Sequence, residues 1–257
     1  MTAFEPDFPG AAVVPSPNHG ERRDGRRPDA IILHYTGMES TDGALAWLCA
    51  EESEVSSHYF VYEDGRIAQL VPESRRAWHA GKSNWKGETD INSCSIGIEI
   101  ANPGHPGGLP DFPEAQIAAV VELCRNCGER WRIAPERVLA HSDVAPIRKV
   151  DPGEKFPWER LHAAGIGHWV EPAPIAGGRF FQRGDEGAPV EALQAMLALY
   201  GYATEITGIF DVATEGAVAA FQRHFRPARV DGIADSSTID TLHRLLKRLP
   251  VRNGFTA

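Results

Sequence analysis

The stretch that most constrains this chain is SIGIEIAN, residues 95–102. Successive side chains of a β-strand point to opposite faces of its sheet. Ile96, Ile98 and Ile100 therefore share one face, and Gly97, Glu99 and Ala101 share the other. An isoleucine face calls for a packed layer against it. A lone acid between two small residues calls for an open floor with one carboxylate standing on it.

The segments around it follow the same logic. DAIILHYTG (29–37) is apolar, bounded by turn residues, and reads as a buried strand. VSSHYFVYEDGRIAQLVP reads as a β-hairpin turning at Asp64-Gly65. RVLAHSDVAP looks like a short strand leading into a loop. Helical patterns lie between them. Thr41 or Asp42 is placed to cap the first. Ile117, Val120, Val121, Cys124, Cys127 and Trp131 recur at helical spacing, predicting a helix over 114–131. A short helix is expected after Asp151. Interleaved strands and helices predict an α/β domain, a mixed central β-sheet flanked by helices, over residues 29–165.

Residues 1–28 are rich in Pro, Gly and charge and are expected to form an N-terminal arm. Residues 166–179 lack periodicity and read as a linker. Beyond it, VEALQAMLALYGY, TEGAVAAFQRHF and SSTIDTLHRLLKRL predict a small all-α three-helix C-terminal domain, residues 180–257. A repeat runs through it. Gly208-Ile209-Phe210-Asp211-Val212-Ala213-Thr214 matches Gly232-Ile233-Ala234-Asp235-Ser236-Ser237-Thr238, each Asp placed to cap a helix.

Composition narrows the function. Of 257 residues, 42% are hydrophobic and 24% charged, which suits a globular chain. A net charge of -9 argues against nucleic acid as a partner. The cluster Arg22, Arg23, Arg26 and Arg27 is a local exception, expected to be a solvated surface turn. No apolar run is long enough for a membrane span. The first residues lack the pattern of a signal peptide, which predicts a cytoplasmic protein. Cys124 and Cys127 form C-x-x-C, but they sit on the apolar face of the predicted helix, so core packing is expected. No second C-x-x-C completes a zinc site.

Three polar residues stand out by context. His34 ends a buried strand, His141 ends a short one, and Asp151 follows in KVDPG. Two neutral imidazoles and a carboxylate would give a zinc site a net charge of about +1, suited to acidifying a bound water. Spacing alone leaves this open, because His34 is remote from the other two.

Taken in order, ILHYTG, RAWHAGKS, SIGIEIAN and HSDVAPIRKVDPG resemble the motifs of the type-2 N-acetylmuramoyl-L-alanine amidases. That family is related to amidase-type phage lysozymes and animal peptidoglycan-recognition proteins. The resemblance covers roughly residues 28 to 165. It implies a zinc hydrolase, with one Zn2+ per chain, that cuts the amide between the muramyl lactyl group and L-Ala. Peptidoglycan fragments or the sacculus are the implied partner. Motif by motif, it implies His34, His141 and Asp151 as metal ligands and Glu99 as general acid/base. It implies Lys149 as the cation that stabilises the tetrahedral intermediate. Some phage members carry a tyrosine where this chain has Ser57, so proton transfer would fall to Glu99. The tail resembles the peptidoglycan-binding domain of wall hydrolases through the repeat, Phe221-Gln222 and Val230-Asp231-Gly232, and a wall-binding tail would favour the periplasm or envelope over the cytoplasm.

The chemistry is coherent. Zinc can polarise an amide carbonyl and supply hydroxide near neutral pH. Glu99 would pass the water's proton to the departing amine. Lys149 would complement the oxyanion. The plainer alternatives are a structural carboxylate and a surface lysine beside Arg148. Arg76, Trp78 and His79 in RAWHAG are candidates for substrate binding, Arg76 through a peptide carboxylate. Trp78 is equally suited to packing the cleft wall. His58 and His105 are expected not to be ligands. The Gly/Pro-rich loop at 102–113 is expected near the cleft. A non-catalytic muropeptide receptor and a zinc endopeptidase are the competing readings. The filled ligand positions, with Glu99 and Lys149, favour the amidase.

Overall fold

The computed structural model describes residues 4–250; residues 1–3 of the arm and 251–257 of the tail lie outside the described residues. In chain order the elements are β1 (Ala12–Val13), β2 (His19–Glu21), β3 (Ala30–Tyr35), α1 (Thr41–Cys49), β4 (Tyr59–Val61), β5 (Ile67–Gln69), β6 (Arg75–Ala77) and α2 (Ile91–Cys94). Then come β7 (Ser95–Ile100), α3 (Glu114–Trp131), β8 (Val138–Ala140), α4 (His141–Val144), α5 (Trp158–Ala163), α6 (Ala188–Tyr200), α7 (Val212–Phe225) and α8 (Ser236–Lys247).

Six strands form one mixed sheet in the order β1-β5-β4-β7-β3-β8. The run β4-β7-β3-β8 is parallel, and β5 is antiparallel to β4. This is the expected mixed α/β fold with a helical tail. Gly65 supplies the hairpin turn with a φ of 87°, and a Cβ there would meet the Ala115 carbonyl oxygen at 2.8 Å.

The alternation of the central strands decides what covers each face. Ile31, Leu33, Ile96, Ile98 and Ile100 pack against Ile117, Val120, Leu123, Cys124 and Cys127 of α3. Each Ile, Leu or Val buried in this way is worth roughly 1.5–3 kcal/mol. Both cysteines are buried free thiols within this core, as their spacing predicts. The opposite face has two covers. Ala44 and Leu48 of α1 pack on Phe60, Ala68 and Leu70. Helices α6 to α8 share a core with Ile32, Trp85, Leu139 and Val144. The carboxyl ends of β7, β3 and β8 open between those covers, where parallel sheets ordinarily place their ligands.

Several local expectations are corrected. Ser40 caps α1, its Oγ accepting from the Gly43 N–H at 3.0 Å, while Thr41 and Asp42 lie inside the first turn. The chain after Ala140 enters α4 directly instead of looping. The segment read as a linker is packed: Val170 and Ala173 are buried, and the Ala173 N–H donates to Thr241 Oγ1 at 3.0 Å. The arm contributes β1 to the sheet edge and β2 to a separate ribbon with β6. Arg22 is buried, not solvated. Its guanidinium donates to the carbonyls of Glu73, Ser93 and Ser95, and a buried cation persists when its donors are met in this way.

The tail repeat has a polar hub in each copy. Gln194 Oε1 accepts from Thr207 N and Gly208 N, both at 2.9 Å. Gln222 Oε1 accepts from Asp231 N and Gly232 N at 3.0 and 2.9 Å. Asp211 and Asp235 cap α7 and α8, each accepting from a threonine N–H at 2.8 Å. No helix among the described residues is long and apolar enough to cross a membrane.

Candidate active site and metal centre

Three adjacent parallel strands deliver the site. In the register of β3 with β7, His34 stands beside Glu99. In the register of β3 with β8, Leu33 pairs with Ala140, so the next residue, His141, comes to rest beside His34. Asp151 returns to the same place, held by the Ser142 N–H donating to its carbonyl at 3.0 Å.

The three side chains converge in a buried spot. His34 Nδ1 lies 2.9 Å from His141 Nδ1, and each nitrogen lies 3.0 Å from Asp151 Oδ2. Donors around a tetrahedral zinc ion stand roughly 3.3–3.5 Å apart, so a small outward shift would seat the ion. Among the described residues this is the cluster able to hold a metal.

The far nitrogens are already committed. His141 Nε2 donates to the Ala80 carbonyl at 3.1 Å. For His34 the tautomer follows from a chain of bonds. Ser95 Oγ donates to the Ile91 carbonyl, so it accepts from His79 Nε2 at 3.2 Å. His79 Nδ1 is then left to accept from His34 Nε2 at 3.1 Å. Both Nδ1 lone pairs consequently face the ligand position, the arrangement expected of metal-binding imidazoles.

Electrostatics agree. Burial, with His141 alongside, pushes the His34 imidazole down to about 4 despite Asp151, keeping it neutral and able to bind a cation. Burial alone would raise the Asp151 carboxyl, but His141 and His34 outweigh it and hold it well below its ordinary value. Glu99 is the opposite case. Burial and the nearby Asp151 charge raise it well above its ordinary value, with Lys149 partly opposing them. Its Oε2 is buried and has no hydrogen-bond partner. A structural carboxylate would have partners.

Residues 24–154 match the family model described as N-acetylmuramoyl-L-alanine amidase. The N-acetylmuramoyl-L-alanine amidase AmiD of Escherichia coli K12 is 38% identical over 237 residues, 86% of this chain and 83% of AmiD. The chain belongs to the N-acetylmuramoyl-L-alanine amidase family. The solved complex of E. coli AmiD with anhydro-N-acetylmuramic acid-L-Ala-D-gamma-Glu-L-Lys matches with a TM-score of 0.74 at 38% identity, covering 87% of this chain and 90% of that one. AmpDh3 of Pseudomonas aeruginosa, in complex with anhydromuramic pentapeptide, matches with a TM-score of 0.71 at 31% identity, covering 89% and 94%. Residues 186–242 match a putative peptidoglycan binding domain.

In this amidase the His34–His141–Asp151 cluster lies in a cleft of about 490 Å³, a size suited to a small organic ligand. Glu99, Lys149, Trp78 and His79 line it. So does an apolar rim of Met38, Trp47 and Val55, which the sequence reading missed. The available signal was Trp47 itself, 48% exposed on a helix that buries Ala44 and Leu48.

Two substrate-binding expectations change. Arg76 does not line the cleft; it donates to Asp90 Oδ1 at 2.9 Å and Ser93 Oγ at 3.0 Å, so its charge is spent on the scaffold. His79 reaches the cleft, but both its nitrogens are engaged, and it orients His34. Ser57 Oγ donates to the Tyr59 carbonyl and stays within the fold. His58 is a buried core residue accepting from the Gly97 N–H at 3.0 Å. His105 in the 102–113 loop bonds Tyr35 Oη at 2.9 Å, and Tyr35 lines the cleft.

Proposed function

We propose that this amidase is zinc-dependent, with His34 Nδ1, His141 Nδ1 and Asp151 Oδ2 holding one Zn2+. Its reaction is hydrolysis of the amide between the lactyl group of an N-acetylmuramyl or anhydromuramyl sugar and L-Ala of the stem peptide. The observation that supports this best is the convergence of three buried donor atoms, at 2.9, 3.0 and 3.0 Å, with both far imidazole nitrogens committed. Two neutral nitrogens, one carboxylate oxygen and an open position make a donor set that fits a catalytic zinc.

Bound there, zinc would supply a Lewis acid for the amide carbonyl and lower the pKa of a water. The remaining steps fall to the protein. Glu99 Oε2 takes the proton of the attacking water and delivers it to the leaving nitrogen, a task suited to a carboxyl with a raised pKa. Lys149, which lines the same cleft, would supply its ammonium to the negative charge growing on the carbonyl oxygen. Trp78 and the Met38–Trp47–Val55 rim confine the substrate. The ligands of the AmiD and AmpDh3 complexes support anhydromuramyl peptides as the first substrates to try. The matched tail supports a further contact with peptidoglycan.

The test is zinc content of the purified chain, followed by incubation with anhydro-N-acetylmuramyl-tripeptide with and without chelator. One zinc per chain and chelator-sensitive release of the intact tripeptide, read by mass, is the expected result. Zinc without cleavage would move the chain to a binding role. Cleavage within the peptide would make it an endopeptidase.

A further inference from the structure

His141, Lys149 and Asp151 sit on one short stretch of chain, and helix α7 of the tail lies against that stretch at three points. Gly216 approaches Ile147 so closely that a Cβ there would stand 3.1 Å from Ile147 Cγ1. Arg223 faces Glu154 at 4.0 Å. His224 reaches Asp143, two residues past His141.

Asp143 is fully buried, and its carboxylate accepts three hydrogen bonds. One comes from the Ala140 N–H at 2.8 Å and fixes the turn where β8 passes into α4. The other two come from the tail: Tyr202 Oη donates to Oδ1 at 2.7 Å and His224 Nδ1 to Oδ2 at 2.7 Å. His224 is itself immobilised, stacked on Trp158 at 3.7 Å and on Phe225 at 3.8 Å between ring centroids.

Helix α4 has four residues, too few to hold its own geometry. Its position is coupled to the other ligand through the Ser142 N–H bond to the Asp151 carbonyl. A displacement of α4 therefore moves both His141 and Asp151. Binding to a polymeric wall requires none of this; a module on a slack tether would serve.

We propose that the tail is a positioning element for the metal centre: His224 and Tyr202 fix Asp143, and Asp143 fixes the segment that aims His141 and Asp151. The proposal rests on the zinc reading above. It assigns the tail a function beyond the peptidoglycan contact its family match suggests.

The test uses the full chain with His224→Ala, His224→Asn and Tyr202→Phe. Zinc affinity is measured by competition with a chromophoric chelator. kcat and KM are measured on a soluble anhydromuramyl-tripeptide, which offers no wall for the tail to bind. For His224→Ala we expect zinc affinity to fall roughly tenfold, the lower end of what loss of a ligand's direct hydrogen-bond partner costs, because His224 acts through Asp143. kcat should fall with it while KM stays within about twofold, because the substrate wall is untouched. His224→Asn, whose amide nitrogen takes the place of Nδ1, should recover most of the loss. Tyr202→Phe removes a single oxygen and should give a smaller loss in the same direction. A His224→Ala protein with lowered Tm but wild-type zinc affinity and kcat would overturn the proposal, leaving only a structural pair. If His224→Ala does not fold, Tyr202→Phe decides: unchanged zinc affinity overturns the proposal. A wild-type chain that binds zinc but cleaves nothing would sink the amidase mechanism, while the zinc affinities still decide the role of the tail.

Discussion

Glu73 and Glu99 stand on opposite sides of the same sheet, and their surroundings could hardly differ more. Glu73, on the α3 side, is fully buried and accepts from Tyr59 Oη at 2.7 Å, Cys127 Sγ at 3.2 Å, and Arg130 Nη2 and Nε at 2.7 and 2.8 Å. Burial would raise its carboxyl, but Arg130, Trp131 and Tyr59 outweigh it and hold the group below its ordinary value. Glu99, on the cleft side, has a buried Oε2 with no partner and a carboxyl raised well above its ordinary value by burial and Asp151. The residue type is the same in both. The supply of donors makes one a structural knot and leaves the other with an unpartnered oxygen facing the cleft, as the proposed proton transfer requires.

The sharpest way to break this contrast is to remove each acid in turn. Glu99→Gln should lower kcat by roughly 10²–10⁴-fold, the usual worth of a positioned proton-transfer group. Zinc content, read by atomic absorption, should be unchanged; zinc loss would make Glu99 a ligand or its support. Glu73→Gln should do the reverse. Its expected cost is about 2–3 kcal/mol of stability in denaturant titrations, the worth of charged hydrogen bonds moderated by a partly exposed Arg130. The folded fraction should turn over normally, and a large fall in its kcat would erase the distinction between the two sides.

A smaller effect sharpens the same point through pH. In metal-free protein the folded state holds the Glu99 proton to higher pH than the unfolded chain does. Stability from this group is thus fully present below its ordinary value of 4.5 and is lost as pH rises through the raised value. Glu73 and Asp151 are depressed, so their stability is present above their ordinary values and is lost as pH falls. The Tm of Glu99→Gln minus that of wild type should therefore grow as pH rises above 4.5. The deficit of Glu73→Gln should shrink as pH falls below 4.5. A flat Glu99→Gln difference would mean that the carboxyl is not perturbed.

Much of the scaffold was legible in the chain. The alternation of SIGIEI put its isoleucines on α3 and Glu99 on the open floor, and the helix predicted over 114–131 spans Glu114–Trp131. The hairpin at Asp64-Gly65 and the helical tail were readable for the same reason. Each depends on periodicity or turn chemistry among neighbours. The roles of His79, Arg76 and Arg22 were not readable, because their partners lie on other elements. Arg22 looked like a surface charge until the carbonyls of Ser93 and Ser95 surrounded it. Gln194 was missed although its counterpart Gln222 was noticed, since what defines both is the loop each one holds.

By itself the sequence determined which side of SIGIEI carries its polar group, and so that Glu99 would stand on a floor rather than in a core. Only the tertiary structure decided that β3 lies between β7 and β8, which brings His34, Glu99 and His141 into one row. Only it seated His79 behind His34 and His224 against Asp143. The physical reason is that side-chain direction is set by backbone geometry within a few residues. The identity of a partner depends on which distant elements bury their apolar faces together, and periodicity along one segment carries no information about that.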